Sequence, residues 1–148
     1  MSTQLPVAPG YARGGASAYG GLAATTLPQA RYPEAALSGV LQYIGQARRA
    51  IARHDVPAAH TALVTAQQVL AMLRAALDFR AGGELAERLQ AVYTFVIGEL
   101  GQANLEKNAA RLEALPAIIE PLREAFARAA AAHLAGHTAE AAGGSDRR

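Results

Sequence analysis

The chain has 148 residues, of which 51% are hydrophobic but only 5% aromatic, and it contains no cysteine. Its 14 Lys and Arg exceed its 12 Asp and Glu by a net charge of +2, and no basic patch indicates a nucleic-acid partner. Disulfide and thiol chemistry are excluded, and no apolar run approaches the roughly 20 residues that span a bilayer. Since the first residues also lack the basic start of a secretory signal, we expect one cytoplasmic domain without membrane insertion.

Residues 1–31 are rich in Gly, Ala, Ser, Thr and Pro and show no sustained period, so an irregular N-terminal arm is predicted. A first helix is predicted from about Pro33 to Arg53, because proline suits a helix start and apolar residues then recur at spacings of three and four.

The second predicted helix begins after Asp55, whose carboxylate can cap it. It carries a core stripe from Ala62 to Leu77. A second apolar stripe beside it is wider than contact with two neighbouring helices requires, and it consists of Val69, Met72, Ala76 and Phe79. This stripe could meet the fourth helix, a second copy of the chain or another protein.

A glycine pair, Gly82-Gly83, precedes the third predicted helix, which runs from about Gly83 to Leu105. Glycine adopts left-handed conformations at little cost, and Glu84 then suits the dipole of the new helix. The inward face of the third helix consists of Leu85, Leu89, Val92, Val96 and Leu100, with Tyr93 and Ile97 beside it.

A fourth helix is predicted after Asn108, with a bend or break where Pro116 and Pro121 remove backbone hydrogen bonds. Short connections between long helices favour antiparallel neighbours. The predicted fold is therefore all-α, an up-down-up-down four-helix bundle over residues 32–135, followed by a disordered tail over residues 136–148.

Residues that could carry chemistry are few, so no enzyme, cofactor or metal site is predicted. His54 and His60 suit helix ends and solvated surface, and His133 and His137 have the spacing of a metal pair but no third ligand nearby. Carboxylates have arginine partners at helical spacing, and neither a phosphate-binding loop nor a nucleophile with a base is present. Narrow, Ala-rich helices instead favour shallow grooves that accept an amphipathic helix.

Several segments resemble the FliS family of flagellin export chaperones. The similarity covers about Gly39 to Phe126 and is strongest from Asp78 through Leu115. The segments that carry it are Ile44-Gly45-Gln46-Ala47, Ala66-Gln67, Leu77-Asp78, the glycine pair and the Tyr93 region of the third helix.

The resemblance implies a four-helix bundle that binds the disordered C-terminal segment of flagellin, prevents its polymerisation in the cytoplasm and delivers it to the flagellar type III export gate. It also implies that Tyr19, in the N-terminal arm, helps to hold or cap the flagellin site. The predicted partner-binding residues are Tyr19, Val69, Met72, Phe79, Leu89, Tyr93 and Ile97. Alternatives are a chaperone for another type III substrate and a homodimeric helical adaptor or regulatory module.

Overall fold

The computed structural model describes the backbone of residues 29–143 and the side chains of residues 30–136. Its helices are α1 (Tyr32–Ala52), α2 (Val56–Ala75), α3 (Phe79–Glu106), the single turn α4 (Ala110–Glu113) and α5 (Leu115–Gly143), preceded by a 3-10 turn at Gln29–Arg31. No strand occurs in residues 29–143. The all-α bundle predicted from the sequence is confirmed.

Four long helices share one apolar core. Helix α1 packs against α2 and α5, and α2 also packs against α3. Core side chains lie on one stripe of each helix, as their spacing of three and four requires. The core includes Leu37, Val40 and Ile44 of α1, Leu63, Leu70 and Leu73 of α2, Leu89, Tyr93 and Leu100 of α3, and Ile119, Leu122 and Phe126 of α5.

Helices α2 and α3 run antiparallel. Three contacts join them in reverse order along the chain: His60 meets Asn104, Gln67 meets Ile97, and Arg74 meets Thr94. The up-down-up-down order of the whole bundle stays a prediction.

Side-chain caps fix two helix starts that the sequence predicts. Asp55 Oδ1 accepts a hydrogen bond from the Ala58 N–H at 3.1 Å and begins α2. Asn108 Oδ1 accepts one from the Ala110 N–H at 3.0 Å and begins α4. Each cap satisfies a backbone donor that has no partner within the helix.

The start of α3 differs from the prediction. Asp78 accepts hydrogen bonds from the N–H groups of Arg80 and Ala81, both at 3.0 Å, and so begins a helical turn before the glycine pair. Gly83, with φ 50° and ψ −127°, then interrupts α3. The left-handed φ expected of the glycine pair is therefore found inside α3 and not at the end of α2.

The predicted break in the fourth helix lies just before Pro116, at Ala114, which separates α4 from α5. Pro121 lies inside α5, and the helix continues across it. Helix α5 also continues to Gly143, beyond the predicted end at residue 135, because its last turns are rich in alanine, the best helix former. The division of the chain into arm, bundle and tail remains a prediction, and residues 1–28 lie outside the described part.

The expectation that no apolar run approaches membrane-spanning length does not hold for α2. Among the described helices it alone passes a test of length and composition, with 20 residues and a mean hydropathy of 1.2. A third of its most apolar window is buried in the bundle, and core helices of soluble proteins pass the same test. The result is weak evidence for a membrane span.

Candidate partner-binding surface

Polar contacts close the seam between α2 and α3. Gln67 Nε2 donates to the backbone carbonyl of Ile97 at 3.1 Å, and Arg74 Nη1 donates to Thr94 Oγ1 at 3.1 Å. The helices approach closely at Gly101, where a Cβ atom would lie 3.2 Å from Gln67 Nε2. This seam is therefore occupied by the protein's own side chains and leaves little room for a partner helix.

Three predicted partner-binding residues have surface that a partner could reach. Met72 is 59% exposed and Phe79 45% exposed, while Val69 is half-buried against the core. Met72 is two residues from Arg74, which contacts α3, so it lies about 200° round the helix, on the flank of α2 away from that seam. Val69 lies three residues earlier, on the same flank.

Three other predicted residues lie with the core or the seam. Leu89 and Tyr93 are almost completely buried, and Ile97 is half-buried against the core. The predicted binding residues therefore do not form one continuous surface, because the inward face of α3 is buried in the core. Tyr19 lies outside the described residues.

A row of exposed residues on α3 was not among the predicted binding residues. We call it the α3 outer stripe; its members are Ala91, Phe95, Gly98, Gln102 and Leu105, all of them exposed. Phe95 is 53% exposed and Leu105 81% exposed. The alternating spacing of four and three, which keeps residues on one face of a helix, is the sequence signal that could have found this stripe.

Met72 lies at the same height as Phe95. Because Gln67 meets Ile97 and Arg74 meets Thr94, a residue of α2 between 67 and 74 is level with the middle of α3. Small members of the stripe allow close approach: a Cβ atom added to Gly98 would meet no atom within 4 Å outside its own helix backbone. Apolar side chains of both helices are thus available to a partner at this height.

Two ion pairs shift the pKa values of glutamates in the described part of the chain. A hydrogen bond from Arg111 holds the pKa of the Glu106 carboxyl below its usual value, and the attraction between the two charges adds to this. Arg111 also reaches Glu99 at 3.4 Å, so it ties α4 to α3. Arg123 lowers the pKa of Glu120 in the same way on α5. These solvent-exposed pairs resemble ordinary surface salt bridges and not a catalytic pair.

Histidines take part in surface contacts. The Nδ1 atom of His60 lies 2.9 Å from Asn104 Nδ2, and His54 ends α1 with a φ of 59°. Within the described residues, no group of three or more His, Cys, Asp or Glu could hold a metal ion. His137, half of the predicted spacing pair, has its side chain outside that part.

Together these features define an all-α helical bundle with a closed core and with large apolar side chains exposed on α2 and α3. The chain belongs to the FliS family: the family model described as flagellar protein FliS matches residues 15–133. The resemblance predicted from the sequence is thereby confirmed.

Two curated relatives are similar to this chain. The flagellar secretion chaperone FliSB of Pseudomonas aeruginosa is 32% identical over 83 residues, which are 56% of this chain and 66% of that protein. The flagellar secretion chaperone FliS of Vibrio cholerae is 24% identical over 90 residues, 61% of this chain and 66% of that protein. The matched part therefore spans slightly less than two thirds of each relative.

Proposed function

We propose that this protein is a flagellin export chaperone. It binds the disordered C-terminal segment of flagellin in the cytoplasm, prevents premature polymerisation and assists delivery to the flagellar type III export apparatus. It acts by binding and not by catalysis.

The observation that carries the proposal is the exposure of Phe95, Leu105 and Met72 on a bundle whose core is already complete. Large apolar side chains at helical spacing on a folded surface are typical of sites that receive another helix. The identity of the partner is supported by membership in the FliS family and by the two relatives named as flagellar secretion chaperones.

The partner's disorder predicts the thermodynamics of the complex. A segment that folds as it binds loses conformational freedom, which opposes association, so it must bury a large apolar area to bind well. Exposed side chains spread over α2 and α3 suit a segment that lies along several helices better than one that enters a single cleft.

The decisive experiment is co-purification of the full chain with flagellin that carries or lacks its C-terminal segment. Calorimetry with the isolated segment should then give a negative heat-capacity change. Equal capture of both flagellins, or no heat at any temperature with a folded chaperone, would contradict the proposal. Capture of a different secreted protein in place of flagellin would favour a chaperone for another type III substrate.

Tyr19 belongs to the same proposal. A tyrosine tethered to the chain acts at a high effective concentration, so its ring can cover an apolar surface until a longer partner displaces it. Tyr19→Ala should then increase self-association in light scattering. If removal of residues 1–21 changes neither self-association nor affinity for the flagellin segment, the arm has no part in binding.

A further inference from the structure

Two depressions adjoin the C-terminal end of α1. The first, which we call the arginine groove, has a volume of about 390 Å³. Three of its five lining residues are small: Gly45 and Ala52 of α1, and Ala109 at the start of the α4 turn. Its remaining walls are the side chains of Arg48 and Arg49.

Both arginines are free to bind an anion. They are exposed, and within residues 30–136 neither lies within 4.0 Å of a carboxylate. Arg53, by contrast, pairs with Asp55, and Arg111 pairs with two glutamates. The Arg49 guanidinium extends back over Gly45, with Nη1 3.4 Å from the position that a Cβ atom would take there. A planar guanidinium in this position can form two parallel hydrogen bonds with a carboxylate.

The second depression, which we call the end pocket, has a volume of about 160 Å³. Its lining residues Ile51 and Lys107 are one and two residues from Ala52 and Ala109 of the arginine groove, so both depressions lie at the same end of the bundle. Its lining is partly apolar and comprises Ile51, His54, Asp55, Val56, Ala59 and Lys107.

The ends of two helices meet at the end pocket. Within the described chain, His54 and Lys107 are the only residues other than glycine with positive φ, at 59° and 50°, and both line this pocket. Each residue ends a helix in the usual left-handed way, because the next N–H bonds back to a carbonyl five residues earlier, from Asp55 to Ala50 and from Asn108 to Ala103. Two helix connections, α1 to α2 and α3 to α4, therefore meet at one end of the bundle.

We propose that this end of the bundle binds an acidic segment of a protein partner. Carboxylates of the segment pair with Arg48 and Arg49, and an aliphatic side chain of the same segment enters the end pocket. The site shares no residue with the α3 outer stripe, so it can be occupied while that stripe holds another chain. The apolar pocket favours a protein over a nucleic acid, and neither depression is lined by a Phe, Tyr or Trp on which a base could stack.

The test uses the full chain labelled with ¹⁵N and a blocked peptide of four glutamates around one leucine. Binding should shift the amide signals of Gly45, Ala52 and Ala109. The double variant Arg48→Gln with Arg49→Gln should weaken binding by about tenfold or more, a loss of about 1.4 kcal/mol or more. The matched control is Arg80→Gln with Arg128→Gln, which has the same net charge but changes exposed arginines outside both depressions.

A second variant places a side chain inside the arginine groove. Gly45→Glu places a carboxylate three and four residues before the two arginines, where helical ion pairs form. It should abolish peptide binding while the circular dichroism of the helices is retained.

Two altered peptides separate the parts of the site. Replacement of the leucine by serine should weaken binding several-fold, and replacement of the glutamates by glutamine should abolish it. Equal losses in the arginine double variant and its control, or tighter binding of an oligonucleotide of equal charge, would overturn the proposal. Because the proposed function depends on flagellin capture, either proposal can fail without the other.

Discussion

The Gln67 side chain donates a hydrogen bond to the backbone carbonyl of Ile97 at 3.1 Å, across the seam between α2 and α3. That carbonyl already accepts the helical hydrogen bond from the Gly101 N–H, so Gln67 is its second donor. A Cβ atom at Gly101 would lie 3.2 Å from Gln67 Nε2, so the Gln67 amide would have to move by a few tenths of an ångström. The two residues are therefore energetically coupled.

This coupling predicts a background-dependent effect of Gly101→Ala. Alanine improves helix propensity by about 1 kcal/mol, but here its Cβ atom crowds the Gln67 amide and weakens a hydrogen bond worth about 1 kcal/mol, so the free energy of unfolding should rise by less than about 1 kcal/mol. In the Gln67→Ala background nothing is displaced, and the same substitution should stabilise by about 1 kcal/mol. Urea denaturation of the four proteins measures both effects. An equal effect in both backgrounds would show that the residues are independent.

Substitution by alanine should have opposite effects on stability at Gly83 and at Gly98. A Cβ atom meets nothing within 4 Å at either position, so packing does not distinguish them. Gly83 has φ 50° and ψ −127°, and Gly83→Ala should destabilise by about 1–3 kcal/mol through backbone strain. Gly98 lies within regular helix, and Gly98→Ala should stabilise by about 0.5–1 kcal/mol. Thermal unfolding of the two variants provides the comparison, and a stabilised Gly83→Ala would refute the strained conformation.

Core positions on α2 and α3 should respond to substitution differently from a surface position on α2. Leu73 and Leu89 are completely buried, so truncation of either to alanine should destabilise by about 2–5 kcal/mol. Met72 is 59% exposed, so Met72→Glu should leave helicity and melting temperature nearly unchanged. Unfolding of the Met72 variant would mean that the two stripes of α2 had been assigned to the wrong sides.

Acid should destabilise the protein partly through Glu106 and Glu120. Their arginine partners lower the pKa of each carboxyl in the folded state, so the unfolded chain takes up protons first as the pH falls. Their contribution is therefore complete above the unfolded pKa of about 4.3 and is lost as the pH falls through the lower folded values. With both glutamates changed to glutamine, stability should fall less steeply below about pH 5.

Chemical denaturation across this pH range tests the effect of the two carboxyls. The control variant carries Glu87→Gln and Glu113→Gln, which change exposed glutamates without an ion pair in the described chain. Equal pH profiles for the two double variants would exclude a role for the ion pairs. Salt should reduce the difference, because exposed charges are screened.

Local signals in the sequence predict the starts of helices, whereas the length of α5 depends on a property summed over several turns. The caps at Asp55 and Asn108 follow from short side chains that accept a nearby N–H, so no tertiary information is needed. The apolar stripe of the fourth helix underestimates the length of α5, because the last turns of α5 depend on the helix propensity of alanine.

The binding surface was harder to predict because periodicity identifies a face without saying what covers it. On α3 the larger apolar face, with Leu89 and Tyr93, is covered by the bundle, and the shorter row with Phe95 is left exposed. The contacts of His60, Gln67 and Arg74 with α3 show which flank of α2 is closed.

The α3 outer stripe predicts the residue whose loss should most weaken binding of the flagellin segment. Phe95 has the largest side chain of the stripe and is 53% exposed, so Phe95→Glu should leave the fold intact while it places a charge against an apolar partner. We expect affinity for the segment, measured by calorimetry, to fall by about tenfold or more. Gln90→Glu is the matched control, because it adds the same charge at an exposed position of the same helix outside the stripe. Equal affinities of the two variants, with equal melting temperatures, would exclude the stripe and direct the search to the flank of α2 that carries Met72.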